Sequence, residues 1–233
     1  MHRWLAVPLF VALPAMAGDF TSLGNLAQDE FRRVSEDLGA AAAYKGVTPA
    51  TPLGLVGFDV GIELTSTKIE NSSLFGLAGA GSQSELLVPK LHIYKGLLAN
   101  LDIGAFIGGM PDLSGALYGA DLRWAFIDDT LTMPAMAVRL SGTMTNSLGG
   151  VDVATVGIDL MISKKFAMVT PYGGIGAVRV QAKPDAAGLS EEKFNMSRVF
   201  AGLNVNLAVM NIAFEAEKMG DNTSLSAKLG WRF

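Results

Sequence analysis

The chain has 233 residues, of which 50% are apolar and 17% charged, and its formal net charge is −4. The acidic balance argues against nucleic-acid binding, which needs clustered positive charge. The absence of cysteine excludes disulfides, thiolate metal sites, a cysteine nucleophile and a lipid-modified cysteine. No uninterrupted apolar run reaches the roughly 18 residues of a spanning helix, so we expect the apolar residues to lie along strands.

Residues 1–17 have the pattern of a secretory signal peptide. A short basic start precedes the apolar stretch Leu5–Leu13. Ala15 and Ala17 then provide the small residues of a cleavage site before Gly18. We therefore expect the chain to be exported, and we assign residues 1–17 to a signal peptide.

Residues 18–53 are predicted to form a short amphipathic helix and a connector. From Phe20 to Ala43, apolar residues recur at three- and four-residue steps, and charged residues of both signs fill the opposite face. Thr21 or Ser22 could cap the start of the helix, and Pro49 helps to end it. Three placements are open: a plug inside a barrel, a helix packed against its periplasmic mouth, or a membrane-surface helix. The mixed charge favours the first two, because surface helices are usually rich in Lys and Arg.

Residues 54–233 contain ten segments in which apolar residues alternate with small or polar ones. This pattern predicts an all-β fold, an antiparallel up-and-down transmembrane β-barrel of about ten strands. The facing of the seventh segment, Pro171 to Gln181, is ambiguous. There we place Arg179 and Gln181 inward, with Val178 and Val180 outward.

A soluble β-sandwich would alternate in the same way, but two observations favour a barrel in lipid. Charges lie deep within the strands, where a barrel would turn them into its lumen. Short turns also follow the even-numbered strands, whereas the connections Ser66–Glu85 and Ala182–Asn195 are long. Short periplasmic turns and longer outer loops are typical of such barrels. This parity places both termini on the periplasmic side.

The last ten residues, Ser224 to Phe233, resemble the closing strand of Gram-negative outer-membrane β-barrels. The helix before the first strand resembles uncharacterised members that have an N-terminal extension. The resemblance implies an outer-membrane location, contact with outer-membrane lipid, and handling by periplasmic chaperones and the barrel-assembly machinery. The alternating residues that carry the implied assembly signal are Leu225, Ala227, Leu229, Trp231 and Phe233.

The strand assignment predicts a lumen with balanced charge. Seven acidic and seven basic side chains point inward, and pairing is expected because an unpaired buried charge is costly. The alternatives are an ion-paired interior that stabilises the barrel and a small pore lined by the same charges. The predicted network, including one histidine, is Asp59, Glu63, Lys90, His92, Asp102, Asp121, Arg123, Arg139, Asp159, Arg179, Arg198, Glu215, Glu217, Lys228 and Arg232.

No enzymatic activity, metal or cofactor is predicted. Known outer-membrane hydrolases generally use a histidine, and the only one after residue 17 is His92, which has no serine at the close spacing of the lipid A deacylases. The expected function is a narrow or plugged channel or transporter for small or hydrophobic solutes. The alternative is a structural or adhesive barrel with exposed loops and no transport.

Overall fold

The structure is a computed structural model that describes residues 18–233. The predicted signal peptide, with Ala15 and Ala17 of its cleavage site, lies outside the described residues. Within them the structure has ten strands: β1 Phe58–Lys68, β2 Glu85–Gly96, β3 Leu101–Met110, β4 Leu113–Ile127, β5 Ala135–Asn146, β6 Val151–Ser163, β7 Val169–Pro184, β8 Glu192–Leu207, β9 Met210–Met219 and β10 Asn222–Arg232.

The strands form one closed antiparallel barrel. Each strand pairs with its neighbours in sequence, and β1 closes the ring by pairing with β10. The closing register runs from Asp59 opposite Arg232 to Thr67 opposite Ser224. The predicted fold class and the count of ten strands are confirmed.

The two ends of the barrel differ, and we name them by their connections. The turn end holds the connections after the even-numbered strands, together with Phe233, which exchanges two backbone hydrogen bonds with Phe58. The loop end holds the connections after the odd-numbered strands. Its longest connection, residues 69–84, contains the helix α2 Ser72–Leu77. The second predicted long loop is shorter than expected, because β7 and β8 extend into it and leave only residues 185–191.

The outer surface of the barrel carries an apolar belt. Alternate side chains on the strands point away from the lumen, and the large apolar ones among them are exposed. Such a surface is suited to lipid, because a closed barrel satisfies all its backbone hydrogen bonds internally. None of the helices in residues 18–233 is long and apolar enough to cross a membrane. The belt includes Ile62, Leu91, Ile93, Ile103, Leu122, Trp124, Leu140, Ile158, Leu160, Ile175, Val199, Leu203, Phe214, Leu225 and Trp231.

The predicted N-terminal helix is present but shorter than expected. The helix α1 spans Gln28–Ala42 and follows a single 3-10 turn, Leu23–Asn25. Its first residue is preceded by Ala27, whose amide donates to the Glu30 carboxylate at 2.9 Å. The prediction that Thr21 or Ser22 caps this helix is therefore wrong. The residues before α1 instead follow the mouth of the barrel, where apolar side chains such as Phe20 are buried.

The N-terminal segment, residues 18–53, runs through the barrel from one end to the other. The Gly18 amide donates to the Asp112 carbonyl at 3.1 Å, and the Phe20 amide to the Gly149 carbonyl at 3.0 Å, both in connections of the loop end. After α1 the chain continues to the turn end, where β1 begins. The first described residue and Phe233 therefore lie at opposite ends. The prediction that both ends of the chain share one side of the barrel is wrong for the described residues.

Candidate functional site: the filled lumen

The half of the lumen nearer the loop end is an apolar core built around α1. This helix contacts five strands, β1, β5, β6, β7 and β10, which places it inside the barrel. Its apolar face, including Phe31, Val34 and Leu38, has no exposed surface. Of the three placements considered for the helix, the structure shows the one inside the lumen. Inward side chains of the strands complete this apolar layer: Leu86, Val88, Leu117, Val151, Val153, Val178, Val180, Ala182, Phe194 and Met196.

The helix α1 lies close against the barrel wall at Gly39. A Cβ atom at this position would lie 2.7 Å from Cγ1 of Val180, closer than two carbon atoms can pack. Val178 and Val180 thus face inward, whereas Arg179 and Gln181 are exposed on the outer surface. The predicted facing of the seventh strand is wrong, and Arg179 does not belong to the lumen.

The facing of the seventh strand is reversed because the polarity of the two barrel surfaces changes along the strands. Near the turn end, inward residues are polar and outward ones apolar, as a membrane barrel requires. Beyond about the middle of β7 and β8 this polarity reverses. There the lumen holds the apolar layer, and the outer face carries Arg179, Lys183, Lys193 and Asn195. The rule that polar residues face the lumen therefore fails above this boundary.

Below the apolar layer lies a charged layer, with Asp159 at its centre. Arg139 donates to Asp159 at 2.8 Å through Nε, and Arg198 binds the same carboxylate through Nε at 2.5 Å and through Nη2. All three side chains are buried. Glu217 lies 3.6 Å from Arg198 and extends the network. A buried carboxylate held between two guanidinium groups is a strong, geometrically defined arrangement.

The charged layer also binds the backbone of the N-terminal segment. Arg198 donates to the Tyr44 carbonyl at 2.7 Å, and Arg123 donates to the Pro49 carbonyl at 2.6 Å. The Leu53 amide donates to Asp102 at 3.0 Å. The charges of the wall thus supply the hydrogen bonds that an extended chain in the lumen could not make with itself.

Two important residues, Tyr44 and Lys45, escaped the sequence analysis. The Tyr44 hydroxyl donates to Asp121 at 2.6 Å and lies 2.8 Å from the Tyr94 hydroxyl. The Lys45 ammonium donates to the Ala40 carbonyl at 2.7 Å and lies 3.3 Å from Glu217. The sequence does contain one feature that distinguishes Lys45: it is the only charged residue between Asp37 and Asp59.

All the other predicted network residues face the lumen. Arg179 leaves the count of lumenal basic residues and Lys45 joins it. The lumen therefore still contains seven basic side chains for the seven acidic side chains of the wall. The inward residues are Asp59, Glu63, Lys90, His92, Asp102, Asp121, Arg123, Arg139, Asp159, Arg198, Glu215, Glu217, Lys228 and, at the turn end and partly exposed, Arg232.

His92 belongs to this network. Its Nε2 atom lies 2.8 Å from Glu63, and the same carboxylate accepts a hydrogen bond from Lys90 at 2.6 Å. The imidazole stacks on Phe106, with ring centroids 5.2 Å apart. The hydroxyl that Glu63 contacts is that of Thr65, at 2.6 Å. His92 thus lies in a wall of aromatic and charged groups.

At the loop end, Asp37 connects α1 to two loops. Its carboxylate accepts hydrogen bonds from the amides of Glu70 and Asn71 at 3.2 and 3.0 Å, and from the side chain of Asn222. Burial raises the pKa of the Asp37 carboxyl above its usual value, and these hydrogen bonds oppose that rise. Asp37 therefore fixes the helix to the β1–β2 connection and to Asn222, the first residue of β10.

The residues of the predicted assembly signal lie on the outward face of β10. Leu225, Trp231 and Phe233 are among the exposed large apolar side chains. Their role in barrel assembly stays a prediction.

The comparisons with solved structures give β-barrel proteins. The N-terminal β-barrel domain of Pseudomonas aeruginosa OprF is 11% identical, covers 75% of this chain and 97% of its own, and has a TM-score of 0.39. Ail, the attachment invasion locus protein of Yersinia pestis, is 16% identical, with 76% and 97% covered and a TM-score of 0.31. Neisserial surface protein A is 14% identical, with 75% and 95% covered and a TM-score of 0.34.

No family model matches the chain, and no curated protein sequence matches it. The solved structures that match are described as outer-membrane β-barrel proteins.

Proposed function

We propose that this protein is an outer-membrane barrel whose lumen is closed by its own N-terminal segment. The barrel has a structural role and exposes its loops at the surface, and it is not an open channel. The observation that carries the proposal is the filled lumen. An apolar core surrounds α1, and below it the charged layer binds the connector. A solute would have to displace both layers to pass.

The outer-membrane location is supported by three features of the chain. The exposed apolar belt needs lipid. The outward side chains of the closing strand, among them Leu225 and Trp231, are apolar and exposed. The first 17 residues have the pattern of an export signal. In this orientation the turn end faces the periplasm and the loop end faces the outside.

A gated narrow channel is the second candidate, and unpartnered polar groups of the charged layer favour it. Within residues 18–233, both terminal nitrogens of the Arg139 guanidinium group and the side-chain nitrogen of Asn204 are buried without a hydrogen-bond partner. Buried groups of this kind usually bind ordered water. A hydrated lower lumen would form half of a channel, which displacement of α1 would complete.

The two candidates are separated by planar-bilayer conductance of the refolded protein and of a variant that lacks residues 18–50. Closure by the N-terminal segment predicts a silent wild type and discrete conductance steps from the deletion variant, because the apolar core loses its centre. A heat-modifiable gel shift establishes that both proteins are folded barrels. Discrete openings of the wild type would overturn the closed barrel and support the gated channel.

A further inference from the structure

We propose that the connection between β1 and β2, residues 69–84, is a lid on the lumen that Asp37 holds against α1, so that the lid and residues 18–42 open as one unit. The proposal rests on the proposed closure of the barrel by its N-terminal segment. It identifies what keeps that segment in place at the loop end.

Hydrogen bonds join the lid to the N-terminal segment at two places. The Asp37 carboxylate accepts bonds from the amides of Glu70 and Asn71, and from the Asn71 side chain at 3.1 Å. The Ser22 amide donates to the Ala78 carbonyl at 2.8 Å. The lid is thus bound near its start by α1, and at the end of α2 by the residues that precede α1.

The barrel wall contributes little to holding the lid. In the described part of the chain, residues 69–84 make one hydrogen-bonded contact outside the lid and the N-terminal segment. It is the exposed ion pair of Glu70 with Lys68, at 3.0 Å. An exposed ion pair of this kind adds little to stability. The hydrogen bonds that hold the lid closed therefore come from the N-terminal segment.

Apolar packing joins the same two segments. Phe75 of α2 is fully buried, and its ring centroid lies 5.3 Å from that of Phe20. Among the helices and strands of residues 18–233, α1 is the one that α2 contacts most. A Cβ atom at Gly79 would collide with Thr21, because the two chain segments approach so closely there. Lifting the lid would therefore expose Phe20 and Phe75 to water, which is unfavourable.

Residues 18–28 are bound on their other side to further connections of the loop end. The Phe20 amide donates to the Gly149 carbonyl. The Gln28 side chain donates to the Ser190 carbonyl at 3.1 Å and accepts from the Ser190 amide at 2.9 Å. This part of the chain thus lies between the lid and the β5–β6 and β7–β8 connections. Because the lid has its partners there, neither part can move without breaking the contacts of the other.

The test is residue-resolved amide hydrogen exchange of the refolded full-length protein in detergent micelles, followed by NMR. Two amides report the two segments. The Ala80 amide donates to the Phe75 carbonyl at 3.0 Å within the lid, and the Phe31 amide donates to the Ala27 carbonyl at 2.9 Å in α1. Because a single opening exposes both, we expect their protection factors in the wild type to agree within about threefold.

Two variants test the connection between the segments. Asp37→Ala should speed exchange at Ala80 and at Phe31 by about tenfold or more, since it removes a charged acceptor of several hydrogen bonds. Phe75→Ala changes only the lid, but it should speed exchange at Phe31 as much as at Ala80. Amides of the β6–β7 ladder should keep their wild-type protection, which distinguishes this opening from global unfolding.

Glu36→Ala is the matched control, because Glu36 precedes Asp37 and forms a partly exposed pair with Arg32 at 3.0 Å. It should change both exchange rates by no more than about twofold. A lid that opens alone would overturn the proposal: Ala80 would then exchange at least about tenfold faster than Phe31 in the wild type, or would alone respond to Phe75→Ala. A wild type that conducts ions while the two amides still exchange together would overturn the proposed closure and leave the joint opening intact.

Discussion

At the scale of single residues, Asp159 is the side chain on which the charged layer most depends. It is buried and binds Arg139 and Arg198. In the described part of the chain, no other carboxylate lies as close to these two cations; Glu217 is 3.6 Å from Arg198. Removal of Asp159 therefore leaves positive charge in the lumen without its counter-ion.

We expect Asp159→Ala to lower the free energy of unfolding by about 3–5 kcal/mol, the usual cost of one missing partner in a buried ion pair. The measurement is urea unfolding in detergent micelles, followed by the fluorescence of Trp124 and Trp231. Asp29→Ala is the control, because Asp29 forms an exposed pair with Arg33 at 3.2 Å and should cost no more than about 0.5 kcal/mol. Equal losses in the two variants would contradict the central role of Asp159.

At the scale of elements, the fit between α1 and β7 depends on Gly39. In an exposed helix, alanine would be more stable than glycine by about 1 kcal/mol. Here the added methyl group would meet Val180, so we expect Gly39→Ala to destabilise the protein by about 1–3 kcal/mol, as overpacking does.

The double variant Gly39→Ala with Val180→Ala should recover most of that loss, because it makes room for the methyl group. Both proteins are compared with the wild type in the same urea experiment. A Gly39→Ala variant that is more stable than the wild type would show that the helix does not press against β7.

The strands could be predicted from the sequence, but the facing of the upper part of β7 could not. Alternation identified all ten strands, because each strand separates lipid from lumen over most of its length. It failed at Arg179, where β7 rises beyond the apolar belt and the lumen becomes a core around α1. No local pattern reveals that change, since the parity of the strand continues and only its surroundings differ.

The same limit explains the missed residues of the lumen. Charges of the wall were found because a strand period predicts their direction. Tyr44 and Lys45 lie in an irregular connector, where no period applies. Their contacts with Asp121 and Glu217 join segments that are distant in the chain.

At the scale of the whole molecule, the structure predicts which parts of the chain are exposed on opposite sides of the membrane. The protein contains no cysteine, so single cysteines are clean probes. Asn25 is exposed in the N-terminal segment at the loop end, and Leu131 is fully exposed in the β4–β5 connection at the turn end.

On intact cells, we expect a membrane-impermeant maleimide to label Asn25→Cys and to leave Leu131→Cys unlabelled until the outer membrane is opened. Lysed cells provide the control, because both variants should then react. Labelling of Leu131→Cys alone on intact cells would show that the barrel has the opposite orientation.

The path of residues 18–53 constrains the order in which the barrel can assemble. The N-terminal segment enters at one end of the barrel, leaves at the other and is enclosed by the wall. Once the barrel is closed, there is no gap through which α1 could reach its position beside Val180. The N-terminal segment must therefore already lie against the growing sheet when β10 pairs with β1. The N-terminal segment thus becomes the template around which the last strand closes, and the apolar core around α1 contributes to bringing the two edges together.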